Sequence, residues 1–171
     1  MSAAPEALST AIEIRFASEA DVGLLLQMVR ELAAYEKAPD AAVATEADLL
    51  RYGFGPERAF EALIASADGK PAGVALFFRT FSTWLGRPGL YLEDIFVSEW
   101  ARGLGVGKRL MARLAAITVE RGWERLDFSV LDWNPARGFY ERIGTHPLDE
   151  WVRYRAEGEA LRLLAEEDRR G

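Results

Sequence analysis

The feature that most restricts this chain is a strand-like run that passes through glycines directly into a helix. Residues 90–97, Leu-Tyr-Leu-Glu-Asp-Ile-Phe-Val, read as a strand. Arg102-Gly103-Leu104-Gly105-Val106-Gly107-Lys108 follows after four residues. Over residues 105–121, Leu110, Leu114 and Ile117 then recur at helical spacing, and Gly122 stops the helix. A strand feeding a helix across so tight a turn belongs to a sheet with helices packed on it.

The flanking pattern says which kind of sheet. Residues 12–16 alternate as a strand. Ser18 with Asp21, and Thr45 with Asp48, open helices as capping boxes, the first running to about Tyr35 and the second to about Gly53. Residues 60–67 and 71–80, joined by Asp68-Gly69, form an antiparallel hairpin, and Gly86 to Gly89 turns the chain again. After Gly122, residues 125–131 read as a strand and Asn134-Pro135 opens a helix that Gly144 ends. A last strand over 151–155 and a charged helix over 158–169 complete the series. Hairpins first and strand–helix–strand units later predict an α/β fold with a mixed, mostly antiparallel sheet of six to seven strands.

A chain of 171 residues accommodates one ordinary domain. We expect a flexible N-terminus over residues 1–11, the domain over 12–157, and a C-terminal helix and tail over 158–171. The net charge of −6 disfavours a nucleic-acid partner and favours a small cation. There is no cysteine, and His146 is the single histidine, so no thiolate chemistry and no Cys/His metal site is expected. The longest clean apolar stretch, residues 71–78, stops at Arg79, far short of a membrane span. Residues 1–11 lack the charge and apolar run of a leader, which predicts a cytoplasmic protein.

Glycines between strand and helix let backbone N–H groups converge on a phosphate at the helix N-terminus. The same residues also suit a plain tight connection with a basic first turn. The spacing G-x-G-x-G is not the dinucleotide pattern, and no Gly-Lys-Ser/Thr follows.

The strand Tyr91-Leu92-Glu93-Asp94-Ile95-Phe96-Val97 followed by Arg102-x-x-Gly105-x-Gly107 resembles the acyl-CoA diphosphate motif of the GNAT superfamily of N-acetyltransferases. Asn134-Pro135-Ala136-Arg137-Gly138-Phe139-Tyr140-Glu141-Arg142-Ile143-Gly144 is similar to that family's Asn-x-x-Ala-x-x-Phe-Tyr-x-x-x-Gly segment, one residue shorter after the asparagine. A narrower likeness, to the diamine (spermidine/spermine) and thialysine N-acetyltransferases, runs through Glu31–Lys37, Leu49-Leu50, Gly53-Phe54-Gly55, Thr83-Trp84-Leu85-Gly86 and Tyr91–Asp94.

The resemblance implies the family's fold, with helices on both faces of the sheet and a splayed central strand pair. It implies acetyl-CoA as co-substrate, no metal, a small-molecule amine as acceptor, and a homodimer. It places the pantetheine arm on the main chain of Ile95, Phe96 and Val97, where a bulge commonly aims an amide at the acetyl oxygen. It places the diphosphate on Arg102, Gly103, Leu104, Gly105, Val106, Gly107 and Lys108. Asn134, Pro135 and Arg137 would also meet the co-substrate. Tyr140 would be the proton donor to the departing thiolate. Tyr35, Glu36, Trp84, Asp94, Asp127 and Trp151 would bind the acceptor, the two tryptophans through cation–π contact. Adjacent strand residues face opposite ways, so one of Glu93 and Asp94 faces the amine, and the resemblance favours Glu93 as the base. There are two departures: Ser82 stands where the polyamine enzymes carry an acid, which weakens a second-ammonium site, and Asp127 stands where they have a neutral or basic residue and compensates if its side chain faces the cleft. Another acceptor, such as an amino sugar, an amino acid or a protein amine, or a non-catalytic acyl-CoA-binding module, remains the alternative.

Overall fold

The computed structural model describes residues 10–169. Most of the expected flexible N-terminus, residues 1–9, lies outside them. The chain divides into two compact units, up to Leu131 and from Asp132 onward, which are taken in turn.

The first unit holds a five-stranded sheet in the order β1 (Ile12–Phe16), β2 (Glu61–Ala67), β3 (Lys70–Ser82), β4 (Arg87–Val97), β5 (Leu126–Phe128). The first three pairings are antiparallel and β4–β5 is parallel, so the sheet is mixed as expected. Five strands replace the expected six to seven. The run over 125–131 pairs only through three residues, because β5 meets β4 at Leu90, Tyr91 and Leu92 and no further. Beyond Leu92 that edge of β4 has no strand partner among the described residues, which is the expected splay. Residues 151–155 form no strand and are exposed, so their alternation had no sheet edge to satisfy.

Helix α1 (Val22–Tyr35) covers one face. Its Val22, Leu25, Leu26 and Met28 are buried with Leu49 of α2 (Glu46–Leu49) and with Ala62, Ile64, Val74, Leu76 and Phe96 of the sheet. Helix α3 (Val106–Glu120) covers the other face with Val106, Leu110, Leu114 and Ile117, each at most 1% exposed. Burial of one such side chain contributes roughly 1.5–3 kcal/mol.

Both expected capping boxes form. Thr45 accepts from the Asp48 N–H at 3.2 Å and returns its own N–H to Asp48 at 2.9 Å. At α1, the Ser18 N–H and hydroxyl both donate to Asp21, and Arg15 forks onto its two oxygens at 2.7 and 2.8 Å. The Arg15 guanidinium, and then the Ser18 donors, hold the Asp21 carboxyl well below the usual range despite burial. A depressed carboxylate stabilises the fold above its unfolded-state value, and that gain fades as the medium turns acid. Asp21→Asn is therefore expected to lower stability by about 1–3 kcal/mol at neutral pH. The gap from the wild type should narrow below about pH 4, as urea melts at pH 7 and pH 3 would measure.

The second unit contains α4 (Arg137–Arg142) and α5 (Gly158–Asp168). Helix α4 starts at Arg137 rather than at Pro135. Asn134 Oδ1 accepts the Ala136 N–H at 2.9 Å, so the asparagine closes a turn of its own before the helix begins.

Candidate active site

The glycine-rich turn keeps its expected geometry. Gly103 and Gly105 sit at φ +82° and +90°, a region that L side chains rarely adopt. Gly105 caps α3, whose first ladder bond runs from the Arg109 N–H to the Gly105 carbonyl at 3.0 Å. The N–H groups of Val106, Gly107 and Lys108 precede that ladder and face outward from the helix end, with the positive end of the dipole behind them. Among the described residues, and apart from its own chain neighbours, nothing lies within 4 Å of where a Gly103 side chain would begin. This open, donor-lined turn fits a phosphate group. Leu104 is exposed, and Lys108 adds a cationic side chain in the first turn of α3.

Arg102 does something the motif does not announce. Its guanidinium lies over the Tyr35 ring at 4.8 Å from the centroid, and its Nε donates to the Val97 carbonyl at 3.3 Å. It therefore ties the end of α1 to the end of β4. The chain leaves α1 through a left-handed Lys37 at φ 62°, with the Lys37 N–H on Ala34 and the Ala38 N–H on Ala33. That Schellman turn sets Tyr35 and Glu36 at the helix end. A lysine in a place that favours glycine carried no signal in the sequence.

The acids are arranged by a bulge. Leu76 of β3 pairs with Asp94 and the next residue, Phe77, pairs with Leu92, so Glu93 is the extra residue of β4. Strict alternation would put Asp94 on the α3 face with Leu90 and Leu92. The bulge reverses the parity, and Asp94 and Phe96 join Leu76 and Val74 on the α1 face. Glu93 is exposed and Asp94 half-buried. Burial first, then the neighbouring charges of Glu93 and Glu36, pushes the Asp94 carboxyl up to about 6. Glu36, Glu93 and Asp94 thus share one electrostatic environment. The main chain of Ile95, Phe96 and Val97 continues from the bulge along the unpaired edge of β4.

Other expected residues fall elsewhere. Asp127 sits on β5 opposite Tyr91, but Arg125 Nε holds it at 2.7 Å, so it is already neutralised by a cation. Trp84 lies at the tip of the β3–β4 hairpin, 86% exposed, and six residues of strand from Arg87 to Glu93, about 20 Å, separate that tip from the acids. In the second unit, Asn134 and Tyr140 are half-buried, Pro135, Arg137 and Trp151 are exposed, and the Tyr140 ring packs on Phe139 with centroids 5.1 Å apart. Asn134 uses its oxygen on Ala136 and presents its amide N–H groups as donors. Arg137 donates to the Asp132 carbonyl at 3.2 Å. Among the described residues no group of His, Asp and Glu is placed to hold a metal ion, and no helix is long and apolar enough to cross a membrane.

Known proteins match this architecture. The model of the acetyltransferase (GNAT) family matches residues 26–145. A Bos taurus protein named thialysine N-epsilon-acetyltransferase is 39% identical over 90% of this chain and 97% of its own. A Homo sapiens protein named spermidine/spermine N(1)-acetyltransferase-like protein 1 is 35% identical over 91% of this chain, which corresponds to 24% of that longer protein. Among solved structures, an integron cassette protein from the mobile metagenome of V. cholerae superposes with a TM-score of 0.76 at 32% identity, covering 94% of this chain and 99% of its own. The chain belongs to the acetyltransferase (GNAT) family, and it is an acetyltransferase.

Proposed function

We propose that this acetyltransferase transfers the acetyl group of acetyl-CoA to the terminal primary amine of a small cationic acceptor, a diamine, a polyamine or a thialysine-like amino acid, by direct attack while both are bound. The observation that carries this reading is the half-buried Asp94 carboxyl, set by the bulge on the face of α1 and flanked by Glu93 and Glu36. The names of these relatives support an amine acceptor of this kind.

An aliphatic amine of pKa about 10.4 is neutral in roughly one molecule in a thousand near pH 7.4, a handicap of about 4 kcal/mol. A carboxylate offsets it by binding the ammonium and then accepting its proton, directly or through water. We assign that role to Asp94 with Glu93, the bulged acid holding charge beside it and keeping it basic. Tyr35 and Glu36 flank the incoming amine. Bound acetyl-CoA supplies the thioester and its thiolate leaving group. The main chain of residues 95–97 and 103–108 holds the co-substrate, assisted by Asn134, Pro135 and Arg137, and Tyr140 donates a proton to the departing sulfur. The same reading takes the chain as a cytoplasmic homodimer with its domain over residues 12–157.

The test is acetyl-CoA-dependent thiol release across diamines, polyamines, thialysine, amino sugars and lysine peptides. Turnover with small cationic amines is expected, and turnover confined to peptides or amino sugars would refute the acceptor class. Tyr140→Phe is expected to lower kcat by about tenfold or more with little change in CoA affinity by calorimetry. An unchanged kcat would remove Tyr140 from the reaction.

A further inference from the structure

Arg102 stands between the two halves of the site. Its guanidinium lies over the Tyr35 ring, 4.8 Å from the centroid, and its Nε donates to the Val97 carbonyl at 3.3 Å. No carboxylate pairs with it among the described residues, so its charge meets only a ring face and one neutral carbonyl. Arg102 is exposed, and it directly precedes the left-handed Gly103 of the glycine turn. An exposed side chain changes rotamer in picoseconds to nanoseconds, so its position is set by the partners on offer and not by packing.

Both of its partners have another use. The Ser98 N–H bonds to the Ala72 carbonyl across the β3–β4 ladder at 2.9 Å. Successive residues of a strand turn their N–H and C=O groups to opposite sides, so Val97 and Ile95 turn theirs to the far edge of β4. That edge has no strand partner beyond Leu92 among the described residues, and it is where the proposed function lays the pantetheine arm. The arginine side chain lies against its last carbonyl. In the same reading the Tyr35 ring flanks the incoming amine, and a guanidinium on the ring face excludes a second cation from it. One guanidinium serves Tyr35 and Val97, or it serves a diphosphate at the glycine turn. Its planar fork suits phosphate oxygens better than a ring.

We propose that Arg102 couples the two substrate sites: the side chain that covers Tyr35 and the Val97 carbonyl turns to the diphosphate when the co-substrate binds, and so opens the edge of β4 to the arm and the Tyr35 ring to the amine. The proposal rests on the acetyltransferase reading above. It makes Arg102 a positioning residue for the amine, acting through Tyr35. The consequence is thermodynamic. Each substrate binds more tightly once the other is in place, by the same factor in both directions. Tyr35 thereby gains an effect on a co-substrate that it does not hold.

CoA carries no acetyl group, so both sites can be titrated without reaction. Calorimetry measures cadaverine and thialysine against the chain alone and against its CoA complex. The amines are expected to bind the complex about fivefold tighter or more. Arg102→Gln should bring the two affinities within about twofold of each other, by tightening the amine on the chain alone, whereas loss of a merely structural arginine would weaken it. Tyr35→Leu gives the sharper readout. Removing the ring under the guanidinium should tighten CoA by about two- to fivefold, as expected for release of an exposed cation–π contact. Tyr35→Phe should return CoA affinity to the wild-type range, and Tyr35→Leu should leave it unmoved in the Arg102→Gln background. Equal amine affinities for the chain and its CoA complex, a CoA affinity unchanged or weakened by Tyr35→Leu, or the same gain without Arg102, each overturns the coupling and leaves the acetyltransferase reading intact. Binding of CoA with no binding of either amine overturns the acceptor reading itself, and this proposal with it.

Discussion

Asp94→Asn is expected to lower kcat/KM for the amine by about a hundredfold to a thousandfold while making the fold more stable. The two effects have one cause. In the wild type the carboxyl is raised to about 6 by burial, Glu93 and Glu36. Its unfolded-state value is 3.8, so the unfolded chain releases this proton first. Stability therefore falls as pH climbs from about 4 to about 6, and the full penalty is present at pH 7. A shift of about two units corresponds to at most about 3 kcal/mol, and partial solvation leaves about 1–2 kcal/mol for asparagine to recover. At this chain length that is a Tm higher by roughly 2–8 °C. The catalytic half has its own signature. The free enzyme's acid appears in kcat/KM, so the wild-type profile should fall with a slope of one below about pH 6. The variant should lose that limb and keep only a residual rate that rises with the fraction of neutral amine. A variant that is less stable and equally active would end the assignment of Asp94. Glu93→Gln is a useful companion, since removing its charge should move the limb to lower pH.

Gly73→Val is expected to cost about 2–3 kcal/mol and to weaken CoA binding in the fraction that still folds. A Cβ at Gly73 would lie 2.6 Å from the Phe96 carbonyl oxygen, with Val106 Cγ1 and Leu110 Cδ1 at 3.3 and 3.4 Å. The first of these is backbone and cannot rotate away, so β3 must part from β4 at Phe96 and Val97. Those are main-chain positions that the proposed function needs for the pantetheine arm. Urea melts with an unchanged m-value would report the loss of stability, and calorimetry with CoA the damage to the site. Gly73→Ala carries the same first contact and should lie between wild type and valine. Full stability and full CoA affinity in the valine variant would show that the β3–β4 approach is not needed.

The glycine turn and the bulge contribute to the site in different ways. Gly103 and Gly105 shape a donor-lined end of α3 that suits an anion, and Arg102 fastens that region to Tyr35. The bulge at Glu93 turns one acid onto the other face of the sheet and so decides which carboxyl faces α1. The resemblance favoured Glu93 for contact with the amine, whereas burial and charge single out Asp94 as the perturbed group. The proposed mechanism keeps both, one as acceptor and one as the charge that tunes it.

What the order of residues determined alone was local, though the left-handed Lys37 shows that not every local feature was announced. Ser18 with Asp21 and Thr45 with Asp48 announce helix starts because each box closes within four residues. Asp68-Gly69 announces the hairpin, and the glycines after Arg102 announce the tight strand–helix turn, for the same reason. Tertiary structure alone decided the rest. The register slip that makes Glu93 the extra residue depends on how β3 meets β4, which no window of β4 contains. The shortness of β5 and the absence of a strand over residues 151–155 follow from which edges exist to pair with, since a strand's ladder hydrogen bonds, unlike a helix's, are made to another strand. The Arg125–Asp127 ion pair spans only two residues, but the grip of Arg121 on both oxygens of Glu61 joins distant parts of the chain and had to wait for the fold.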